Sequence, residues 1–192
     1  MRKLRRAALG SVQGGAVPDL VTHYVSSYLV ARSALRPRYA ALLALAGLLP
    51  DIDVLLRVHR WVTHSIPMAL LAAAPILLFV RVKRREFFRF AALALLIYVL
   101  HIALDLFTAP TPALWPLYSS VWVRVELAGA LTVSGLAVHP EVEVVTGPAD
   151  FMPREVIEGP VVTETGLVLA VVAATLTALD IFKNKARRGW GP

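Results

Sequence analysis

The chain has 192 residues, of which 57% are hydrophobic, and its formal net charge is +7. This length suits one domain with a substantial core, and the apolar fraction exceeds that of an ordinary soluble domain. There is no cysteine, which excludes disulfides, thiolate metal ligands and a cysteine nucleophile. The apolar residues are concentrated in blocks, so the sequence predicts an integral membrane protein.

The basic residues cluster at the ends of apolar runs and do not form the continuous face of a nucleic-acid-binding protein. The clusters lie at residues 32–38, 81–89 and 183–188, where they would meet anionic lipid headgroups. We therefore expect a lipid bilayer as a partner and no nucleic acid, with a DNA-binding patch as the alternative for a chain of this charge. The location that fits is the inner or plasma membrane of the cell.

The first elements are short. Residues 1–19 are basic and Gly-rich without the apolar segment of a signal peptide, which predicts a mobile N-terminal arm. Asp19 is a suitable N-cap for a helix over residues 20–34, and a second helical segment over residues 39–49 follows Pro37. Both segments are short for a hydrocarbon layer of ~30 Å. We expect them to enter the membrane incompletely or to tilt against their neighbours.

Further apolar segments follow at residues 66–80, 87–107 and 165–182. The segment at residues 87–107, about twenty residues long, is the strongest candidate to span the membrane, and the last segment is predicted to be a final membrane helix. Between the last two, residues 121–162 alternate apolar and polar side chains in patches separated by Gly and Pro, which predicts short strands outside the membrane. The predicted fold is an all-α membrane-embedded bundle of about five helices with a small β-containing extramembrane insertion. After the arm, its parts are a membrane helical core that holds the metal site (20–117), the insertion (118–163), a final membrane helix (164–183) and a basic tail (184–192).

Seven side chains that can bind a metal interrupt the apolar segments. An ionised group among apolar runs is costly unless it is paired, hydrated or bound to a cation. Helix direction and short connections bring these groups to one end of a bundle. Imidazole and carboxylate without sulfur suit a divalent metal, with zinc first and manganese or iron as alternatives, and two ions bridged by an aspartate would use the whole set. The seven candidate ligands are His23, Asp51, Asp53, His59, His64, His101 and Asp105.

Parts of this set have simpler explanations. His101 and Asp105 are four residues apart on one helix face, where they can form an ordinary hydrogen-bonded pair. Asp51 and Asp53 follow Pro50 and suit a capped turn at the membrane surface. Ionisable residues inside a membrane segment are nevertheless functional candidates by default, which favours a metal site.

The order of the motifs carries a family resemblance. An early histidine in the first helix is followed by LLPDID (48–53), HRWVTHS (59–65), HIALD (101–105) and LWP (114–116). Over roughly residues 20–117 the chain resembles the inner-membrane-associated metal-dependent hydrolases, also described as LexA-binding membrane hydrolases. The resemblance implies a membrane-bound metal-dependent hydrolase. It also implies that the metal-site residues include His59, His64, His101 and Asp105.

The chain departs from that family in two places. Trp61 stands where the family often has a glycine after the His-Arg pair, which would narrow the pocket. The segment at residues 121–162 has no counterpart that we can place, so access to the site differs.

The leading functional hypothesis is hydrolysis of a phosphoester or another anionic, membrane-borne or lipid-linked substrate by a metal-activated water. In this hypothesis, Asp51 or Asp53 bridges metals or acts as the base. Arg60 orients the anionic group of the substrate, and the alternative is that Arg60 snorkels to the membrane interface. Two other hypotheses are a non-catalytic protein with a structural metal and a partner-docking insertion, and a metal-ion transporter. Cytoplasmic basic loops would place the site on the extracytoplasmic side, whereas the basic N-terminal arm favours the opposite orientation.

Overall fold

Helices dominate the part of the chain that the structure describes. The computed structural model describes residues 19–58, 60–133, 135–155 and 160–188, so most of the predicted N-terminal arm and His59 lie outside the described residues. The five α-helices in these ranges are α1 (Leu20–Ala34), α2 (Pro37–Ala44), α3 (Ile66–Lys83), α4 (Phe88–Asp105) and α5 (Glu164–Arg188). Between α4 and α5 lies one antiparallel hairpin of β1 (Ser120–Thr132) and β2 (Gly135–Gly147). The expected combination of helices with a small β insertion is therefore confirmed.

Within the described residues, three helical segments are long and apolar enough to cross a bilayer, namely Ile66–Lys83, Arg85–Asp105 and Glu164–Lys183. The pair Pro37–Leu48 and Pro50–Leu56, bent by 49°, makes a fourth if it is counted as one span. α3 has no fully buried residue, and most of its residues are exposed. Exposed apolar surface of this extent is typical of contact with lipid or another protein.

The last helix is longer than the sequence pattern predicts. The final membrane helix was expected to end at residue 183, with a basic tail over residues 184–192, but α5 continues to Arg188. Lysine, arginine and alanine are good helix formers, and positive charge in the last turn interacts favourably with the helix dipole. The basic residues after the apolar run therefore prolong the helix.

The insertion is one long hairpin, which corrects the prediction of several short strands. β1 and β2 have 13 residues each and pair without interruption from Ser120–Gly147 to Thr132–Gly135. Gly129 and Pro140 were expected to separate strands, but they lie inside β1 and β2. Each strand of a two-stranded ribbon has one free edge, where the missing N–H of proline removes no ladder hydrogen bond.

The helices that carry the candidate ligands pack around small residues. Ala31 of α1, Ala40 of α2 and Ile97 of α4 are fully buried together. Gly47, on a 3₁₀ helix over Leu45–Leu48, lies so close to α1 that an added Cβ would stand 1.9 Å from the Ser27 hydroxyl oxygen. Only glycine permits this approach, which holds the segment before Asp51 against α1 and α4.

Asp19 joins the start of α1 to the start of α5. It caps α1 as predicted, accepting a hydrogen bond from the Thr22 N–H at 2.5 Å, and it also accepts one from the Thr163 N–H. Burial raises the pKa of Asp19, but the hydrogen bonds from Thr163 and Thr22 outweigh burial and hold the pKa below its ordinary value. An added Cβ at Gly166 would lie 2.6 Å from the Asp19 carboxylate, so glycine is required for this junction too.

Candidate metal centre

Five acidic and imidazole side chains converge at the end of α4. Ligand atoms of His64, His101 and Asp105 all lie within 4.8 Å of one another, and so do those of His23, Asp51 and His101. His101 belongs to both groups. Four of the five side chains are buried, and Asp51 is 17% exposed. The cluster is therefore shielded from solvent on most sides and is reached through Asp51.

The donor atoms of the cluster face a common centre. His64 Nε2 lies 3.3 Å from His101 Nε2 and 3.3 Å from Asp105 Oδ2. Asp51 Oδ1 lies 3.5 Å from His64 Nε2 and 3.4 Å from His101 Nε2. His23 Nε2 lies 3.3 Å from Asp105 Oδ1, and its ring stacks on His101 with centroids 3.8 Å apart. Three ring nitrogens and two carboxylates thus share one small volume.

Hydrogen bonds on the outer side orient two of the imidazoles. His101 Nδ1 lies 2.7 Å from the Gly47 carbonyl oxygen, which can only accept, so this nitrogen carries the proton. His64 Nδ1 lies 3.1 Å from Asp53 Oδ2. A neutral histidine that donates a hydrogen bond from Nδ1 has a free lone pair on Nε2, and this tautomer can bind a metal through Nε2. Both rings therefore point a ligand atom at the centre.

Asp53 supports His64 from behind. Besides His64, its Oδ2 atom accepts hydrogen bonds from the Trp61 backbone N–H and the Thr63 hydroxyl, each at 2.8 Å. A carboxylate that holds the outer nitrogen of a metal-binding histidine fixes the ring and raises its basicity. This geometry favours Asp51 as the ligand of the two and gives Asp53 a positioning role.

The effect of Asp53 on the cluster can be measured. We expect Asp53→Asn to weaken binding of a divalent metal by about 10–100-fold, because the amide keeps the shape of the carboxylate and loses its charge. Competition with a chelator in detergent gives the affinity. Glu141→Gln, an exposed change of the same kind on β2, is the control. An affinity for Asp53→Asn equal to that of the control would contradict the positioning role.

The carboxylates make the centre favourable for positive charge. Burial lowers the pKa of His64, but hydrogen bonds with Asp105, Asp51 and Asp53 outweigh burial and raise it to about 10. Two Nε2 lone pairs 3.3 Å apart repel each other unless a proton or a metal ion lies between them. In addition, His23 Nδ1 is buried and has no hydrogen-bond partner among the described residues. The donor set thus fits a divalent cation, and imidazole with carboxylate suits zinc, manganese or iron.

Arg60 connects the cluster to a cavity. Its Nε donates to Asp105 Oδ2 at 3.0 Å, and its Nη2 donates to the Thr108 hydroxyl at 3.0 Å. Its backbone has φ +60°, a conformation that costs about 1–2 kcal/mol in a residue with a side chain. Arg60 also lines a cavity of about 400 Å³ together with Ser120 and Arg154. The guanidinium therefore stands between this cavity and the cluster.

The structure brings most of the predicted site residues together. Asp53 does not face the centre but contacts the outer nitrogen of His64. Arg60 contacts Asp105, and His59 lies outside the described residues. The predicted ligands that share the centre are His23, Asp51, His64, His101 and Asp105.

Three residues of the site were missed. Gly47 orients His101, Thr108 holds Arg60, and the Tyr98 hydroxyl donates to the Thr63 carbonyl oxygen at 2.6 Å. Tyr98 lies three residues before His101, on the same face of α4, which was an available signal. The signal for Gly47 was a lone glycine in an Ala- and Leu-rich helical run, which often marks a close approach.

Comparison with known proteins adds one match. The model of a family described as YdjM inner membrane protein matches residues 18–182. Neither the curated proteins nor the solved structures contain a match. The matched range includes every cluster residue, the hairpin and most of α5, so it extends well beyond the segment that carries the motif resemblance.

Proposed function

This chain belongs to the YdjM inner membrane protein family, and we propose that it is an inner-membrane, metal-dependent hydrolase. The observation that carries the proposal is the convergence of imidazole nitrogens and carboxylates from separate helical segments on one buried centre. A buried cluster of this composition would be costly to maintain in an apolar bundle without a cation. The metal is proposed to be zinc, with manganese or iron as alternatives, in one or two ions.

The chain supplies groups for the hydrolytic chemistry. A divalent metal at the centre would lower the pKa of a bound water and polarise the scissile group. Asp51 is the most exposed member of the cluster, at 17%, so its carboxylate is positioned to take the proton of an attacking water. His64 and His101 hold their Nε2 atoms toward the same point because Asp53 and Gly47 fix their outer nitrogens. In this proposal Asp51 is catalytic and Asp53 is a positioning residue.

The cavity beside Arg60 suits an anionic substrate with an apolar portion. Arginine binds phosphate oxygens through two N–H groups at once. Arg154 adds a second guanidinium to the same cavity, where it forms an ion pair with Asp150 at 3.5 Å. The remaining wall includes Ala109 and three prolines, at positions 110, 112 and 148, which present apolar surface. We therefore propose a membrane-borne phosphoester, most simply that of a lipid, as the substrate class.

Turnover tests this proposal directly. In liposomes that contain a lipid phosphomonoester, the purified protein is expected to release phosphate, to stop when EDTA is added and to resume with a divalent metal. His64→Ala and Asp105→Ala are expected to lower the rate by about 100-fold or more, because each removes a donor from the centre. His139→Ala, on the exposed hairpin, is the control and should retain full activity.

Two outcomes would contradict the hydrolase. The first is a protein that binds a stoichiometric amount of metal but hydrolyses no phosphoester, ester or amide substrate. This result would favour a structural metal site in a protein whose hairpin docks a partner. Metal flux into proteoliposomes would favour a transporter, as would weak and exchangeable metal binding.

We also propose that the site faces the extracytoplasmic side. The basic clusters at residues 32–38, 81–89 and 183–188 all lie at the helix ends opposite the site, and basic loops remain in the cytoplasm. An impermeant thiol reagent added to spheroplasts should therefore label Glu141→Cys and spare Arg85→Cys. The reverse pattern would place the site in the cytoplasm.

A further inference from the structure

The register of the hairpin sorts its side chains by polarity. Odd-numbered residues of β1 pair with even-numbered residues of β2 and share one face, which we call the apolar face. Apart from Gly129 and Thr146, every residue on it between positions 121 and 146 is a large apolar residue or proline. These large apolar residues and the proline are Val121, Val123, Val125, Leu127, Leu131, Leu136, Val138, Pro140, Val142 and Val144.

The opposite face carries the charges of the hairpin. Arg124 and Glu143 form an ion pair there at 3.1 Å, and Glu126 pairs across the strands with Glu141. No charged side chain lies on the apolar face over the same length. The rest of that face consists of Ser, Thr, Gly, Ala and His, apart from Trp122 and Val145. A sheet with its charges on one face and its large aliphatic side chains on the other typically has the first face in water and the second covered.

The described part of the chain leaves the apolar face uncovered over most of its length. Leu127 is 75% exposed, Leu136 71% and Leu131 87%. The hairpin is attached at its base, where the Val123 N–H donates to the Leu106 carbonyl at 2.7 Å and Val121 pairs with Thr111. Leu106 directly follows the end of α4, one of the helices long and apolar enough to span the bilayer. The apolar face therefore begins at the level where that helix ends.

The size of the face argues against a second copy as its cover. Two paired strands of 13 residues make a ribbon about 43 Å long and about 10 Å wide. Face-to-face packing of two such ribbons would bury about 900 Å² in total, below the roughly 1,200 Å² at which specific interfaces begin. Contact with a bilayer needs no such minimum, because the helices already hold the hairpin at the membrane.

The free edges of the ribbon determine how deep it can lie. Beyond the base, where Val121 pairs with Thr111 and Val123 with Leu106, no strand in the described residues pairs with the outer edges of β1 and β2. The hydrocarbon core offers no hydrogen bonds and therefore excludes the free N–H and C=O groups of these edges. The boundary between headgroups and acyl chains contains water for the edges and apolar surroundings for the face.

We propose that the hairpin lies flat on the bilayer surface, with its apolar face turned toward the acyl chains and its charged face turned toward water. The base of the hairpin borders the cavity beside the cluster, since Ser120 begins β1, Pro148 follows β2, and both line that cavity. The hairpin thereby holds the cavity mouth at the level of the lipid headgroups. This inference depends on the hairpin and the membrane helices and stands whether or not the centre is hydrolytic.

Single cysteines can test the position of the hairpin cleanly, because the chain has no cysteine of its own. Leu127→Cys and Val142→Cys probe the apolar face, and Ala128→Cys and Glu141→Cys are their neighbours on the charged face. All four sites are exposed, so each accepts a bimane label without repacking. In liposomes, doxyl lipids are expected to quench the fluorescence of labels on the apolar face at least about twice as strongly as that of labels on the charged face. Iodide in the aqueous phase is expected to quench the labels on the charged face more strongly.

The same experiment can overturn the inference. Equal quenching at all four sites would do so, because a hairpin projecting into water shows no alternation. A second copy would be the cover of the apolar face if two results occurred together. Leu127→Cys would cross-link into dimers, and quenching by lipid would be lost in nanodiscs that hold a single copy. Protection of the hairpin amides from hydrogen exchange checks that each labelled variant keeps its strand pairing. Loss of that protection on removal from the bilayer in the unlabelled chain supports the inference independently, and unchanged protection opposes it.

Discussion

His101→Ala is expected to leave the purified protein without bound metal. His101 belongs to both groups of candidate ligands, and its ring stacks on His23. Removing the His101 ring takes one ligand from each group. Metal affinity should therefore fall by more than the factor of about 10–100 that is typical of losing a residue that only orients a ligand. Elemental analysis after gel filtration is expected to give one or two metal ions per chain for the wild type and none for the variant.

Two comparisons separate ligand loss from misfolding in this experiment. His139→Ala removes an imidazole on the hairpin and should keep the full metal content. EDTA is expected to lower the Tm of the wild type and to leave the Tm of His101→Ala unchanged, since a ligand stabilises only the protein that binds it. Wild-type metal content in His101→Ala would rule out the centre described here.

Gly47→Ala is expected to give the largest loss of stability of any conservative change near the site. The new Cβ would lie 1.9 Å from the Ser27 hydroxyl oxygen, 2.9 Å from Ser27 Cβ and 3.1 Å from Ile97 Cγ2. Backbone or helix displacement must follow, and overpacking of this severity costs about 3 kcal/mol. For a chain of this size that loss corresponds to a Tm decrease of roughly 6–12 °C. Because the Gly47 carbonyl orients His101, metal affinity should fall as well.

A second substitution tests the steric cause. Ser27→Gly removes both the hydroxyl and the Cβ that the new methyl group would meet, at a cost of about 1 kcal/mol for glycine in a helix. The double variant should therefore be more stable than Gly47→Ala alone and should regain metal affinity. Simple addition of the two losses would show that the clash is not the cause.

Local patterns in the sequence were sufficient for several features. The apolar runs at residues 66–80, 87–107 and 165–182 predicted the positions of the three described helices that are long and apolar enough to cross a bilayer. The side chain of Asp19 predicted the start of α1, since a cap depends on a hydrogen bond to the backbone three residues ahead. Helix direction and loop length also predicted that the ligands gather at one end of the bundle.

The amino-acid sequence by itself thus determined which residue types are available, where the apolar helices lie and at which end the ligands meet. Only the tertiary structure decided that Asp51 faces the centre and Asp53 holds His64, because residues two positions apart on a 3₁₀ helix point in different directions. It also decided that Gly47 orients His101 across 54 positions and that the insertion is a single amphipathic hairpin. These features depend on side-chain direction and long-range pairing, which spacing along the chain does not encode.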